Sequence, residues 1–120
     1  NIKDILKYIG NNAITIVDSN GTYMSFEELI PYLKNSVVRF SIDSLDTKII
    51  EQVRQSKRLS DTAKQISKIE KNIQILTSNN IPVIIQTVMT RYNINELASI
   101  HDFFDKKWCK KMVYKCSKIF

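Results

Sequence analysis

The sequence is short of the residues that usually punctuate a chain. Only 2 glycines and 2 prolines occur in 120 residues, which excludes Gly/Pro-rich linkers and leaves turns to be built from Asn, Ser and Asp. Of the 2 cysteines, Cys109 and Cys116 form no Cys-x-x-Cys pair. With His101 as the sole imidazole they make no zinc set within the chain, and so low a count fits a reducing cytosol. No apolar run approaches the roughly 18 residues of a membrane span. The opening Asn1-Ile2-Lys3-Asp4-Ile5-Leu6-Lys7 mixes apolar and charged residues at helical spacing, unlike a signal peptide. A cytoplasmic protein with no membrane partner is expected.

What is present is ordinary for a globular domain: 43% hydrophobic and 25% charged residues, with a net charge of +6. That length supports one domain with a real core. The excess of base raises the question of nucleic acid. Yet the basic residues either recur along a helix (Lys64, Lys68, Lys71) or bunch near the end (Lys106, Lys107, Lys110, Lys111), with no aromatic platform beside them. They read as solvated faces, and a nucleic-acid partner is not expected.

Hydrophobic periodicity then divides the chain. Ile2, Ile5, Leu6 and Ile9 form a helix stripe that Gly10 closes. A stripe that begins at the first residues, with no initiator Met, reads as a chain cut within an element, hence a fragment. Ala13–Val17 is a β-branched run ending in the turn Asp18-Ser19-Asn20-Gly21, where Asn-Gly favours positive φ. Ser25-Phe26-Glu27-Glu28 has the form of a capping box, followed by the stripe Phe26, Leu29, Ile30, Leu33. A second strand is predicted over 37–43, apolar along its body and polar at its end, with Ser41, Asp43 and Ser44. Asp46-Thr47 then starts a helix bearing Ile49, Ile50 and Val53.

Ser60 or Asp61 opens a long helix with Ile66, Ile69, Ile73 and Leu76 on one face, and Asn79-Asn80 ends it with Asn in the left-handed cap position. The near-continuous apolar run 81–89 predicts a third, buried parallel strand, with Gln86 as its polar exception. Asn93 or Asn95 opens a helix carrying Ile94, Leu97, Ile100 and Phe103 or Phe104. Residues 111–116 suit either a fourth strand or a continued helix. Alternating strands and helical crossovers predict an α/β chain of three to four parallel βα units, either an arc of a (β/α) TIM-type barrel or part of a doubly wound sheet. In such folds, ligands gather at the carboxyl ends of the strands.

Three segments, in order, carry a resemblance. Ile16-Val17-Asp18-Ser19-Asn20-Gly21-Thr22 is similar to a strand ending in Thr-Asn-Gly, with Ser19 in place of Thr. Arg39-Phe40-Ser41-Ile42-Asp43-Ser44 is similar to a strand ending in Ser-Ile/Leu-Asp. Val83–Met89 followed by Asn93-Ile94-Asn95-Glu96-Leu97 is similar to the next strand and its helix-opening Asn. Together they resemble the second part of the radical S-adenosylmethionine domain, over nearly the whole chain. The resemblance implies a partial barrel, S-adenosylmethionine and a [4Fe–4S] cluster in the parent protein. That family's cluster-binding Cys-x3-Cys-x2-Cys and its Gly-Gly-Glu-Pro-like segment are absent here. A complete barrel uses roughly 250 residues, so the expectation is one partial domain, 1–120, completed by the remainder of its own barrel and inactive alone.

By the same resemblance, Ser41 lies near the ribose or methionyl part of S-adenosylmethionine, a role its hydroxyl suits as donor or acceptor. Asp43 shares its strand face by period two and either orients Ser41 or shapes the following turn. Asn20 sits at a strand end where its amide could meet cofactor or substrate, or merely form the turn. A lone amide in a buried strand is costly unless paired, so Gln86 either pairs internally or faces a ligand. Arg54 could reach a cofactor carboxylate, or stand at an exposed helix end. His101 is expected at the surface, and Phe103, Phe104 and Trp108 in helix-on-sheet packing. The substrate, peptide or small molecule, is not legible. Two other classes remain open: a non-enzymatic α/β interaction module, and a piece of an unrelated (β/α) barrel enzyme. An excised arc exposes two sheet edges, so self-association is expected.

Overall fold

The computed structural model describes residues 1–21, 26–46, 59–105 and 112–115, with residues 59–63 and 112–115 described as backbone only. Among the described residues, four helical segments and four strands alternate: α1 (Ile2–Ile9), β1 (Thr15–Ser19), a 3-10 helix (Phe26–Tyr32), β2 (Ser36–Ser41), α2 (Leu59–Ser78), β3 (Val83–Val88), a short 3-10 turn (Ile94–Glu96) running into α3 (Leu97–Asp105), and β4 (Met112–Lys115). The strands form one sheet in the order β1-β2-β3-β4, and every neighbouring pair is parallel. The fourth strand is therefore a strand and not a continued helix.

Sequential order with parallel pairing has a direct consequence. Each crossover is right-handed by the general rule, so successive helices fall on the same side of the sheet. Burial follows suit. Along β2 and β3 alternate residues are buried and half-buried, and the buried set (Val38, Phe40, Val83, Ile85) joins one core with Leu6, Phe26, Leu33, Ile73, Leu76, Ile100 and Phe104. Phe40 meets Phe26 edge-on, ring centroids 5.4 Å apart. The other sheet face carries Ile16, Asp18, Val37, Arg39, Ser41, Ile84, Gln86 and Val88, none fully buried. β3 is thus covered on one face among the described residues, although its apolar run fits cover on both.

Local chemistry explains the element ends. Gly10, at φ 52°, closes α1 and donates to the Leu6 carbonyl at 3.0 Å. Asn80, at φ 59°, closes α2 in a Schellman arrangement: Ile81 N–H reaches Leu76 O at 3.0 Å and Asn80 N–H reaches Thr77 O at 3.1 Å. The predicted α2 stripe is borne out at Ile69, Ile73 and Leu76, which are buried.

The structure corrects three expectations. β1 runs two residues later than predicted, over Thr15–Ser19, because Asp18 and Ser19 stay in register with Arg39 and Phe40. Residues 26–32 wind as a 3-10 helix containing Pro31, whose ring would crowd the carbonyl of residue 27 in α geometry. Its end shows the tighter i→i+3 bond, Leu33 N–H to Ile30 O, at 3.2 Å. Ile94 is exposed rather than part of the α3 stripe. Ser25, the helix predicted from Asp46-Thr47 through Val53, and Trp108 lie outside the described residues.

Candidate functional site

The site is best built from the sheet register. Asp18 of β1 lies opposite Arg39 of β2, and Ser41 of β2 lies opposite Gln86 of β3. All four are on the face turned away from the core. Asn20 follows one step past the last β1 pairing, Ser19 with Phe40, which sets it beside the level of Ser41. The open face changes character as it ascends: Val37 gives way to Arg39 and Ser41, and Ile84 gives way to Gln86. β2 runs over Ser36–Ser41 rather than 37–43, so Asp43 lies just past the strand and not on its face. The predicted positions Asn20, Ser41, Asp43 and Gln86 are therefore brought to the carboxyl end of one parallel sheet. Arg54 lies outside the described residues, as do Cys109 and Cys116.

Arg39 and Asp18 form a two-pronged ion pair across the strands: Nε donates to Oδ1, and Nη2 donates to Oδ2 at 2.7 Å. The hydrogen bond to Asp18, more than its charge, lifts the guanidinium above its ordinary pKa, against a smaller opposing pull from desolvation. Both side chains keep access to water, at 28% and 60% of their surface. Sequence reasoning missed this pair; the signal available was Arg39 on one predicted strand and the opposite charge of Asp18 directly after the neighbouring one.

Gln86 presents the opposite situation. Its Oε1 is buried and has no hydrogen-bond partner among the described residues. Buried acceptors are rarely left so.

Behind this face, three side chains brace the strand ends. Thr87 Oγ1 donates to Ile42 O at 2.7 Å. Asn93, fully buried, donates through Nδ2 to Asp43 O at 2.7 Å and Val88 O at 2.8 Å, and accepts from Thr90 N–H at 2.7 Å through Oδ1. It occupies the N-cap position of the 3-10 turn that follows, its carbonyl accepting from Glu96 N–H at 2.9 Å, but its side chain makes no capping bond there. Ser44 accepts from Asp46 N–H at 2.9 Å and also donates to Glu96 Oε2 at 2.6 Å. At β1, Ser19 Oγ accepts from Gly21 N–H at 3.0 Å, and the buried Asn72 of α2 donates to Gly21 O at 3.3 Å and accepts from Phe26 N–H at 3.3 Å.

A cavity of about 410 Å³ is lined by Ile2, Val17, Phe26 and Leu29 together with Asp18, Ser19 and Asn20 of the β1 end. Ser41 and Gln86 do not line it. Among the described residues, no group of three or more His, Cys, Asp or Glu side chains is placed to hold a metal ion, and no helix is long and apolar enough to cross a membrane. His101 is partly exposed beside Asp102, 3.5 Å from its carboxylate. No protein-family model matches the chain, and no curated protein matches it.

Proposed function

We propose that this chain is the middle-to-late arc of a radical S-adenosylmethionine barrel, supplying part of the S-adenosylmethionine pocket and cavity wall of a larger enzyme. The observation that carries the reading is the order β1-β2-β3-β4, parallel throughout, with Asn20, Ser41 and Gln86 at one end of the open face. A sheet wound in a single direction with helices on one side is how a (β/α) barrel is built; a doubly wound sheet reverses its order partway. The open face would then be the barrel interior, and the free edge of β1, with Ile14 83% exposed and Ile16 57% exposed beside it, would be where the rest of the barrel joins.

The residues present fit S-adenosylmethionine in kind. The Ser41 hydroxyl and Asn20 amide can donate or accept, and Gln86 Oε1 offers a buried acceptor for a ligand hydroxyl or amine. The chemistry that the bound cluster and S-adenosylmethionine supply in that family is reductive cleavage to a 5′-deoxyadenosyl radical, which takes a hydrogen atom from substrate. This chain's part in it is binding and orientation.

The test is the sequence preceding Asn1 in the full-length gene, followed by anaerobic purification of its product. The reading expects Cys-x3-Cys-x2-Cys upstream, an iron–sulfur chromophore, and release of 5′-deoxyadenosine from S-adenosylmethionine on reduction. An initiator Met directly before Asn1, or an upstream region without that cysteine set, overturns it.

A further inference from the structure

The geometry points to a second ligand site, in the cavity of about 410 Å³ at the end of β1. Its ligand is a neutral, largely apolar small molecule with one hydrogen-bond acceptor, the chemistry of a cyclic ketone. Three elements wall the cavity: Ile2 opens α1, Val17 and Ser19 lie on the core side of β1 by period two, and Phe26 and Leu29 belong to the 3-10 helix. Packed interiors hold few voids larger than a water molecule, whereas small-molecule sites run to roughly 300–1,000 Å³. The carboxyl end of a strand is also where α/β sheets gather ligands. An apolar cavity of about 150 Å³ takes up benzene, so this one has room for a fused bicyclic of about ten non-hydrogen atoms.

The frame is set before a ligand arrives. Asn72 of α2, itself buried, holds Gly21 O with its Nδ2 and Phe26 N–H with its Oδ1. The Phe26 ring stands edge-on against Phe40. Walls already fixed spare the ligand the cost of ordering them.

Polarity then selects the ligand. Ile2, Val17, Phe26 and Leu29 offer no polar side-chain atom. Asp18 is the one ionised side chain on the lining among the described residues, and Arg39 neutralises it through both carboxylate oxygens. A charged ligand would give up its water here and gain no counter-charge. The hydrogen-bond donor is Ser19. Its Oγ accepts from Gly21 N–H, which leaves its own hydrogen to give. A carbonyl or ether oxygen takes that hydrogen and leaves the rest of the ligand on the apolar wall. Neither Ser41 nor Gln86 lines the cavity, so the site stands apart from the open sheet face.

The probes are 1-indanone, indane (the same bicyclic without the oxygen) and indane-1-carboxylate. Titrated into the chain with labelled Ile, Leu and Val methyls, 1-indanone should shift the Ile2, Val17 and Leu29 methyls saturably and leave the exposed Ile14 in place. Indane should bind about fivefold more weakly, the share of one hydrogen bond, and indane-1-carboxylate no better than indane. Ser19→Ala should bring 1-indanone down to the level of indane, while Ser19→Thr, which keeps the hydroxyl, should hold the preference. Ile2→Trp, which puts a larger ring into the cavity, should abolish binding of both. The proposal is overturned by an absence of saturable shifts at Ile2, Val17 and Leu29, or by equal shifts at Ile14. Equal binding of indane and 1-indanone overturns it too, as does a preference that survives Ser19→Ala. A gene without the upstream cysteines would leave this titration unchanged, so the two readings fail separately.

Discussion

Asn93 donates to the carbonyl of Asp43, 50 residues earlier in the chain, at 2.7 Å. Its second amide hydrogen goes to Val88 O at 2.8 Å, so one side chain holds the carboxyl ends of β2 and β3 at a fixed separation. Those ends carry Ser41 and Gln86, and the brace and the open face are therefore one mechanical unit.

Removing that brace should be expensive. Asn93→Ala leaves two carbonyl oxygens without donors and is expected to cost roughly 2–3 kcal/mol in urea unfolding. Asn93→Asp should cost more at neutral pH, because a carboxylate would face those same carbonyls. Equal stability of Asn93→Ala and the unaltered protein would show that water replaces the brace without loss.

Gly21 is constrained twice. It sits at φ 75°, and a Cβ there would fall 2.3 Å from Ile69 Cγ1. Gly21→Ala should destabilise by about 2 kcal/mol or more. Adding Ile69→Ala should recover part of that loss, because the clash goes while the φ strain stays. A double-mutant cycle measures the recovery as a non-additive term.

The Arg39–Asp18 pair is exposed enough that salt should weaken it. In a cycle of Arg39→Met and Asp18→Asn, the coupling should shrink as sodium chloride rises from about 0.1 to 1 M. The pH dependence has a definite sign. The folded-state pKa of Arg39 is raised, so its contribution is complete below the ordinary guanidinium range and is lost only as pH climbs through the folded value. Arg39 ionisation should therefore impart no slope to stability between about pH 6 and 9. A stability slope there that disappears in Arg39→Met would contradict this.

The β1 edge should associate. Ile14 and Ile16 are exposed, at 83% and 57%, on a strand that has one unpaired side among the described residues. Sedimentation velocity should show concentration-dependent oligomers of the chain, reduced in Ile14→Lys/Ile16→Lys. A clean monomer at high concentration in the unaltered chain would argue that the edge is adequately protected.

Much of the architecture was legible because strand and helix alternate cleanly in the sequence. The runs around Val38 and Ile85 are β-branched, and the stripe Ile69, Ile73, Leu76 has helical spacing. Asn80 could be placed at a left-handed cap because Gly is missing where one is needed. The limits of β1 were not legible, because Asp18 looks like a turn residue until its partner Arg39 is known. The 3-10 winding at 26–32 was hidden because the apolar stripe there fits an α-helix, and only the position of Pro31 opposes it. For the site, the polar residues Ser41, Asp43 and Gln86 stood out against apolar strands. Asn93 was legible as the residue that opens the next helical segment, but nothing local reports the bond its side chain makes to Asp43 across the fold.

The turn that ends β1 also bears on how the protein ages. Asn-Gly pairs lose their side-chain amide when the glycine nitrogen attacks the asparagine carbonyl carbon to close a succinimide. In this fold the nitrogen of Gly21 donates its hydrogen to Ser19 Oγ, and Ile69 and Phe40 crowd the same residue. Ring closure demands that this packed, tethered segment swing free, so Asn20 should survive storage far longer in the native state than in the unfolded chain. Spontaneous isoaspartate at Asn20 would then serve as a record of past unfolding.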